Sequence, residues 1–245
     1  MLYTSIVMSF SVRQKCPTEK TVDSDLTSSI RYIYYLHHTF IMTQPLTKLC
    51  QVSKLACDAL TPMIVQFYSA INSDTSILKA DKSVFTIADG TVQHLLVDHL
   101  FSGNKFLNIV GEEECQVNLL TKPYTVDNLI IPDEFSSVVE KARDDMIQLA
   151  STIPNDLLYK DMTIFIDPID GTREFSTGKG EQCTILIGFA DKQGLPQAGV
   201  AYRPITAPPT WASGAKSEMY KNGNLDMVSS KRRRSSCNYR SNSFH

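Results

Sequence analysis

The chain has 245 residues, with 24 Lys+Arg against 26 Asp+Glu, 42% hydrophobic and 20% charged residues. That composition describes a water-soluble globular chain and excludes a disordered, collagen-like or wholesale nucleic-acid-binding protein. The formal charge of −2 is an average over unlike regions: residues 1–41 carry +1, residues 231–245 carry +5, and the middle, 42–230, carries −8.

The six cysteines (Cys16, Cys50, Cys57, Cys115, Cys183, Cys237) are scattered, with no Cys-x-x-Cys and no His at zinc-finger spacing. Neither a disulfide framework nor a structural zinc site is encoded, and a reducing, cytoplasmic setting is the expectation. No apolar run approaches the length of a membrane span, so no membrane partner is implied. Residues 1–41 lack the apolar core and small-residue cleavage site of a secretory signal, make a poor mitochondrial presequence, and are expected to be a disordered extension. Residues 227–245 read as a disordered basic tail. Lys231-Arg232-Arg233-Arg234 within it resembles a nuclear address or nucleic-acid patch, but as a run of charge with no binding fold it is read as a solvated terminus. The segment 42–226 is the domain to explain.

From Met42, apolar residues at 46, 49, 52, 55, 56 and 60 recur at helical spacing and predict an amphipathic helix. Thr61-Pro62 predicts an N-cap with proline at the first position of a second helix, or a kink, carrying Ile64, Val65 and Phe67. Residues 91–102 predict a helix that stops at Gly103, with Asp89 just ahead of it. Phe106–Val110 predicts a buried strand ending on Gly111-Glu112-Glu113-Glu114. A loop over 115–133 is followed by a helix at 134–150, with Val138, Val139, Ala142, Met146 and Leu149 on one face. Met162–Ile166 predicts a strand feeding into Asp167-Pro168-Ile169-Asp170-Gly171-Thr172. Cys183–Ala190, Ala198–Tyr202 and Thr210–Tyr220 predict strands, with turns at Asp191–Gly194 and Asn222-Gly223. Helices first and sequential strands later argue an α+β class.

Three acidic clusters carry the chemistry. Asp167 and Asp170 leave an apolar strand three residues apart, where bare charges would be costly, and with the Ile169 carbonyl between them they offer oxygen donors to a hard cation such as Mg²⁺. Gly171 permits close backbone approach, and a short helix starting at Thr172 would turn N–H groups toward a phosphate. Taken singly, each cluster has an ordinary reading: an Asx turn at Asp-Pro, a solvated acidic run at Glu112–Glu114, and a helix N-cap at Asp89.

In their order, however, Thr86-Ile87-Ala88-Asp89, Gly111-Glu112-Glu113 and Asp167-Pro168-Ile169-Asp170-Gly171-Thr172 resemble the lithium-sensitive, magnesium-dependent phosphatases of the inositol monophosphatase family, over roughly 42–220. Within it the chain is similar to the branch of 3′(2′),5′-bisphosphate nucleotidase and inositol polyphosphate 1-phosphatase. The resemblance implies the N-terminal half of a layered αβαβα sugar-phosphatase fold, with helices packed on a mostly antiparallel sheet. It implies two or three Mg²⁺ ions: Glu112, Asp167 and the Ile169 carbonyl on the first, Asp167 and Asp170 on the second, Glu113 in the outer shell or on a third. Asp89, hydrogen-bonded to Thr172, would act as general base on the attacking water, and Gly171 and Thr172 would hold the phosphate. The substrate would be a small phosphorylated molecule, not a nucleic acid. Arg173-Glu174-Phe175 resembles the nucleotidases, whereas Gln182–Gly188 and the turn 191–199 also resemble the inositol polyphosphate 1-phosphatases; the residues nearest the phosphate loop favour the nucleotidase. The family's further Asp, in a Trp-Asp-x-Ala-like motif, has no counterpart after Trp211, where Ala212 follows. The resemblance therefore implies a chain lacking the C-terminal half, with an open second metal site and weak activity or none.

Overall fold

In the computed structural model the described residues are 26–73, 78–103, 105–216 and 218–221. The tail at 227–245, the whole segment ahead of Leu26 and the turn at Asn222-Gly223 lie outside them. The first helix, α1, runs Leu26–Ser73. It therefore begins well before Met42, inside the stretch read from the sequence as an unstructured extension. The Tyr, Ile and Thr residues of 27–42 mask the helical period because they are weak helix formers individually. Pro62 does not divide α1 either. The buried stripe Leu46, Leu49, Cys50, Ala56, Cys57, Leu60, Met63, Ile64, Phe67, Ile71 continues across it without a phase break, and tertiary burial of that stripe outweighs the one backbone hydrogen bond a proline removes. Thr61, instead of capping a new helix, turns its hydroxyl back to the Cys57 carbonyl at 2.8 Å. Leu55, counted in the apolar period, points to solvent, while Val52 is buried.

A second helix, α2, spans Leu78–His94 and passes directly into a π-helical turn at Leu95–Leu100, closed by the Phe101 N–H to the Leu96 carbonyl at 3.0 Å. Gly103 follows with φ +91, as its place beyond the helix end suggests. The helix thus starts before Asp89, not at it. Asp89 is no N-cap but an interior residue.

The strands are β1 Asn108–Gly111, β2 Val117–Asn118, β3 Thr125–Val126, β4 Leu129–Ile130, β5 Thr163–Asp170, β6 Thr184–Ala190, β7 Pro196–Arg203, β8 Thr210–Ala215 and β9 Glu218–Lys221. Helix α3 covers Ser136–Ser151 and a short helix, α4, covers Thr172–Ser176. Six strands form one sheet in the order β1-β5-β6-β7-β8-β9, parallel between β1 and β5 and antiparallel elsewhere. This is the mixed, mostly antiparallel α+β arrangement expected. The 210–220 stretch is two strands, not one, because the chain reverses at Lys216, whose φ is +54.

Register sets the core. Ile166, Ile187, Val200 and Ser213 stand in one row, Ile164, Phe189, Ala198 and Ala215 in the next, and all eight are buried. Helix α1 lies against β7 and β8, and α2 against β5. The segment read as a loop at 115–133 holds β2, β3 and β4 in a small antiparallel sheet. Its hairpin turns on Asp127 and Asn128, both at positive φ, the geometry of a type I′ turn.

Candidate active site

The parallel pairing of β1 with β5 explains why two motifs distant in sequence meet. Gly111 stands opposite Ile166, and the Glu112 N–H extends the ladder by bonding the Ile166 carbonyl at 3.0 Å. The next residues on the two strands, Glu112 and Asp167, therefore leave side by side from the same sheet end. Asp89 comes from α2, which lies over β5. The sequence-derived acids are in this way brought together: the carboxyl of Asp89 is hydrogen-bonded to that of Glu113, and Asp167 to Glu112, with Asp170 close enough to act on Asp167 by its charge.

Burial and like charge set the electrostatics. Asp89 is 5% exposed and Asp167 6% exposed, whereas Glu112, Glu113 and Asp170 face solvent. Desolvation is the largest reason that Asp89 holds its proton far above the ordinary carboxylate range, followed by the Glu113 charge and hydrogen bond and then by Asp167 and Glu112. Asp167 is raised in the same way, first by desolvation and then by the hydrogen bond and charge of Glu112, with Asp170 and Glu113 behind. One oxygen of each aspartate, Oδ1, is buried without a hydrogen-bond partner.

The turn expected at Asp167–Asp170 is a bulged strand end. Asp167 pairs with Leu186 and Asp170 with Thr184, so Pro168 and Ile169 together face the single Ile185. Proline has no N–H to give the ladder, and the bulge takes the Ile169 carbonyl out of paired register. Gly171 follows at φ +108, ψ 42, a conformation that suits glycine, and α4 begins at Thr172 as the sequence reading required. The Gly171 carbonyl accepts from the Phe175 N–H at 2.9 Å and the Cys183 thiol at 3.3 Å. The hydrogen bond expected between Asp89 and Thr172 falls on a side chain outside the described residues.

Several supporting groups were not found from the sequence. Gln93, one turn beyond Asp89, is 9% exposed and binds the backbone of Glu113 through both ends of its amide. A buried polar residue at i+4 from a candidate base, on an otherwise apolar face, was the available signal. A Cβ on Gly90 would lie 2.6 Å from Val126 Cγ1, so α2 seats against β3 only with glycine there. The Gly180 N–H donates to the Tyr68 hydroxyl at 2.9 Å, which ties the segment after α4 to α1.

The donor set suits a hard divalent cation. It is all oxygen, it includes two buried carboxylate oxygens without partners, and its acids pair two by two around protons where a cation would otherwise neutralise them. Among the described residues, no group of three His, Cys, Asp or Glu side chains stands ready to hold an ion. Among them, too, no helix is long and apolar enough to cross a membrane.

The model of the inositol monophosphatase family matches residues 46–244. The chain belongs to that family. Among curated proteins it is 35% identical over 128 residues to 3′(2′),5′-bisphosphate nucleotidase 1 of Dictyostelium discoideum, an alignment covering 52% of this chain and 37% of the relative. It is 30% identical over 119 residues to the rat protein of the same name, covering 49% of this chain and 34% of that one. The mouse protein of that name is 28% identical over 120 residues, with the same coverage. The chain thus spans little more than a third of the length of these relatives.

Proposed function

We propose that the chain carries the site of a metal-dependent phosphomonoesterase of the 3′(2′),5′-bisphosphate nucleotidase type, which removes the 3′-phosphate of adenosine 3′,5′-bisphosphate. The observation that carries this reading is the β1–β5 register, which sets Glu112 beside Asp167 at one sheet end under the buried carboxyl of Asp89. The names of the similar curated proteins supply the substrate class.

In this reading Glu112, Asp167 and the Ile169 carbonyl hold one Mg²⁺, Asp167 and Asp170 a second, and Glu113 a third or the outer shell. The bound ions supply Lewis-acid stabilisation of charge on the transferring phosphoryl group. Asp89 orients the attacking water and takes its proton; burial that raises its basicity suits that role once cations hold the neighbouring acids ionised. Gly171 and Thr172 turn backbone N–H groups toward the phosphate oxygens. Water adds to phosphorus as the bond to the ester oxygen breaks, giving inorganic phosphate and the alcohol. We place the protein in a reducing, cytoplasmic setting, in keeping with the free thiols of Cys50, Cys57, Cys115 and Cys183.

The test is phosphate release by the full chain from adenosine 3′,5′-bisphosphate and from inositol 1,4-bisphosphate, with Mg²⁺, with chelator and with Li⁺. Weak Mg²⁺-dependent, Li⁺-inhibited release that prefers the nucleotide is the expected result, and robust turnover would overturn the reading of an open second metal site. Release that persists in chelator overturns the metal reading, and preference for the inositol phosphate overturns the substrate.

A further inference from the structure

We infer that Gln93 is a positioning residue of this site: its side-chain amide clamps the backbone of Glu113 and so fixes the Glu112–Glu113 turn against the helix that carries Asp89. The inference rests on the cation-site reading above and adds to it a residue with no donor role of its own.

The geometry is reciprocal. Gln93 Nε2 donates to the Glu113 carbonyl at 2.6 Å, and the Glu113 N–H donates to Gln93 Oε1 at 2.8 Å. The two partners of Glu113, a carbonyl and an N–H, leave the amide only one orientation. The clamp is also shielded. Gln93 is buried, and a Cβ on Gly111 would collide with its amide group, so glycine at the end of β1 is what lets the side chain lie across the strand. Glu112 and Glu113 themselves face solvent and lie past the end of the parallel ladder, where of their backbone groups the Glu112 N–H is still held by β5. Without Gln93 the backbone at Glu113 would lose both of these bonds. Since Gln93 follows Asp89 by four residues in α2, one helix turn sets the spacing between the buried acid and the exposed pair. Groups in this relation to metal ligands usually alter metal affinity by about 10- to 100-fold when removed.

Gln93→Met keeps the length of the side chain and removes both hydrogen bonds. In the full chain we expect two changes together: amide exchange at Glu113 faster by about tenfold, as loss of one hydrogen bond allows, and a Mg²⁺ midpoint, read by calorimetry or thermal shift, weakened by about tenfold or more. Gly111→Ala, which pushes the amide away from the opposite side, should do the same and serves if Gln93→Met does not fold. Faster exchange with an unchanged Mg²⁺ midpoint overturns the inference, because the clamp is then a local structural bond only. Unchanged exchange overturns it as well, and so does failure of both variants to fold, which would assign the contact to folding. If the unaltered chain binds no Mg²⁺, the cation reading fails by itself. The exchange arm then still decides whether Gln93 fixes the turn.

Discussion

The interior of the sheet and its carboxyl-bearing end are a few residues apart and obey opposite rules. In the interior, rows such as Ile166, Ile187, Val200 and Ser213 are closed to water and register-matched, and several polar groups at the helix–sheet contact find partners, although the Ser53 hydroxyl does not. Tyr202 donates to Asp58 at 2.8 Å, and the Cys50 thiol reaches the Gly214 carbonyl at 3.5 Å. At the end of β5, by contrast, Asp167 and Asp89 are buried beside other acids, each with an oxygen left unpartnered. The first region stabilises the fold. The second draws on that stability to hold like charges together, which points to an external positive charge as the missing term.

The largest expected effect separates the two regions chemically. Asp89→Asn should lower Mg²⁺-dependent phosphate release by about 10²- to 10⁴-fold, the range for loss of a general base. It should also raise the stability of the cation-free chain at neutral pH by on the order of 2 kcal/mol, since each unit of pKa shift relieved is worth about 1.4 kcal/mol. A stability loss in chemical denaturation would contradict the picture of a conflicted site. Ile187→Ala should do the reverse: destabilise by about 3 kcal/mol as a buried aliphatic truncation, with the Mg²⁺ midpoint of the folded fraction unchanged.

The pH dependence sharpens the contrast further. The folded-state pKa values of Asp89 and Asp167 are raised, so below the ordinary value of 3.8 their contribution is fully present, and it is lost as pH rises from there past neutrality. Denaturation midpoints in chelator should therefore fall with rising pH, and Asp89→Asn should flatten the trend. Mg²⁺ should release protons on binding at neutral pH, measurable by calorimetry in buffers of different ionisation enthalpy. The smallest effect lies away from the site, at His99. Its pKa is lowered by desolvation, then by His94 and Arg143, against an opposing pull from Asp98. The stability it supports is present above 6.5 and is lost as pH falls below that value, weakened by solvent screening. His99→Gln should remove that acid-side slope.

The α+β class, the strands from Met162 onward, helix α3 and the acids that gather were legible in the sequence, because strand alternation and the Asp-Pro-Ile-Asp-Gly-Thr run are local signals. The misreadings were also local. Pro62 read as a helix start or a kink because proline weakens an isolated helix, yet packing of the Leu60–Phe67 stripe carries α1 through it; α2, read as starting at 91, runs on from Leu78 with Gly90 seated against Val126. The hairpin at Asp127–Asn128 was hidden in a loop because its strands are only two residues long. Gln93 was passed over because its role depends on where β1 ends, which no helical period reports.

The pairing of β1 with β5 has a kinetic meaning. The two strands that bring Glu112 to Asp167 are roughly 50 residues apart in the chain, and β1 is held at the edge of the sheet by this pairing, while β6 to β8 are joined by short hairpins that close early and β5 joins β6 through the segment carrying α4. During refolding the hairpin array should acquire its hydrogen bonds before the edge strand docks. Cation affinity would then emerge only with the last long-range contact, making ion binding a direct reporter of completed chain topology.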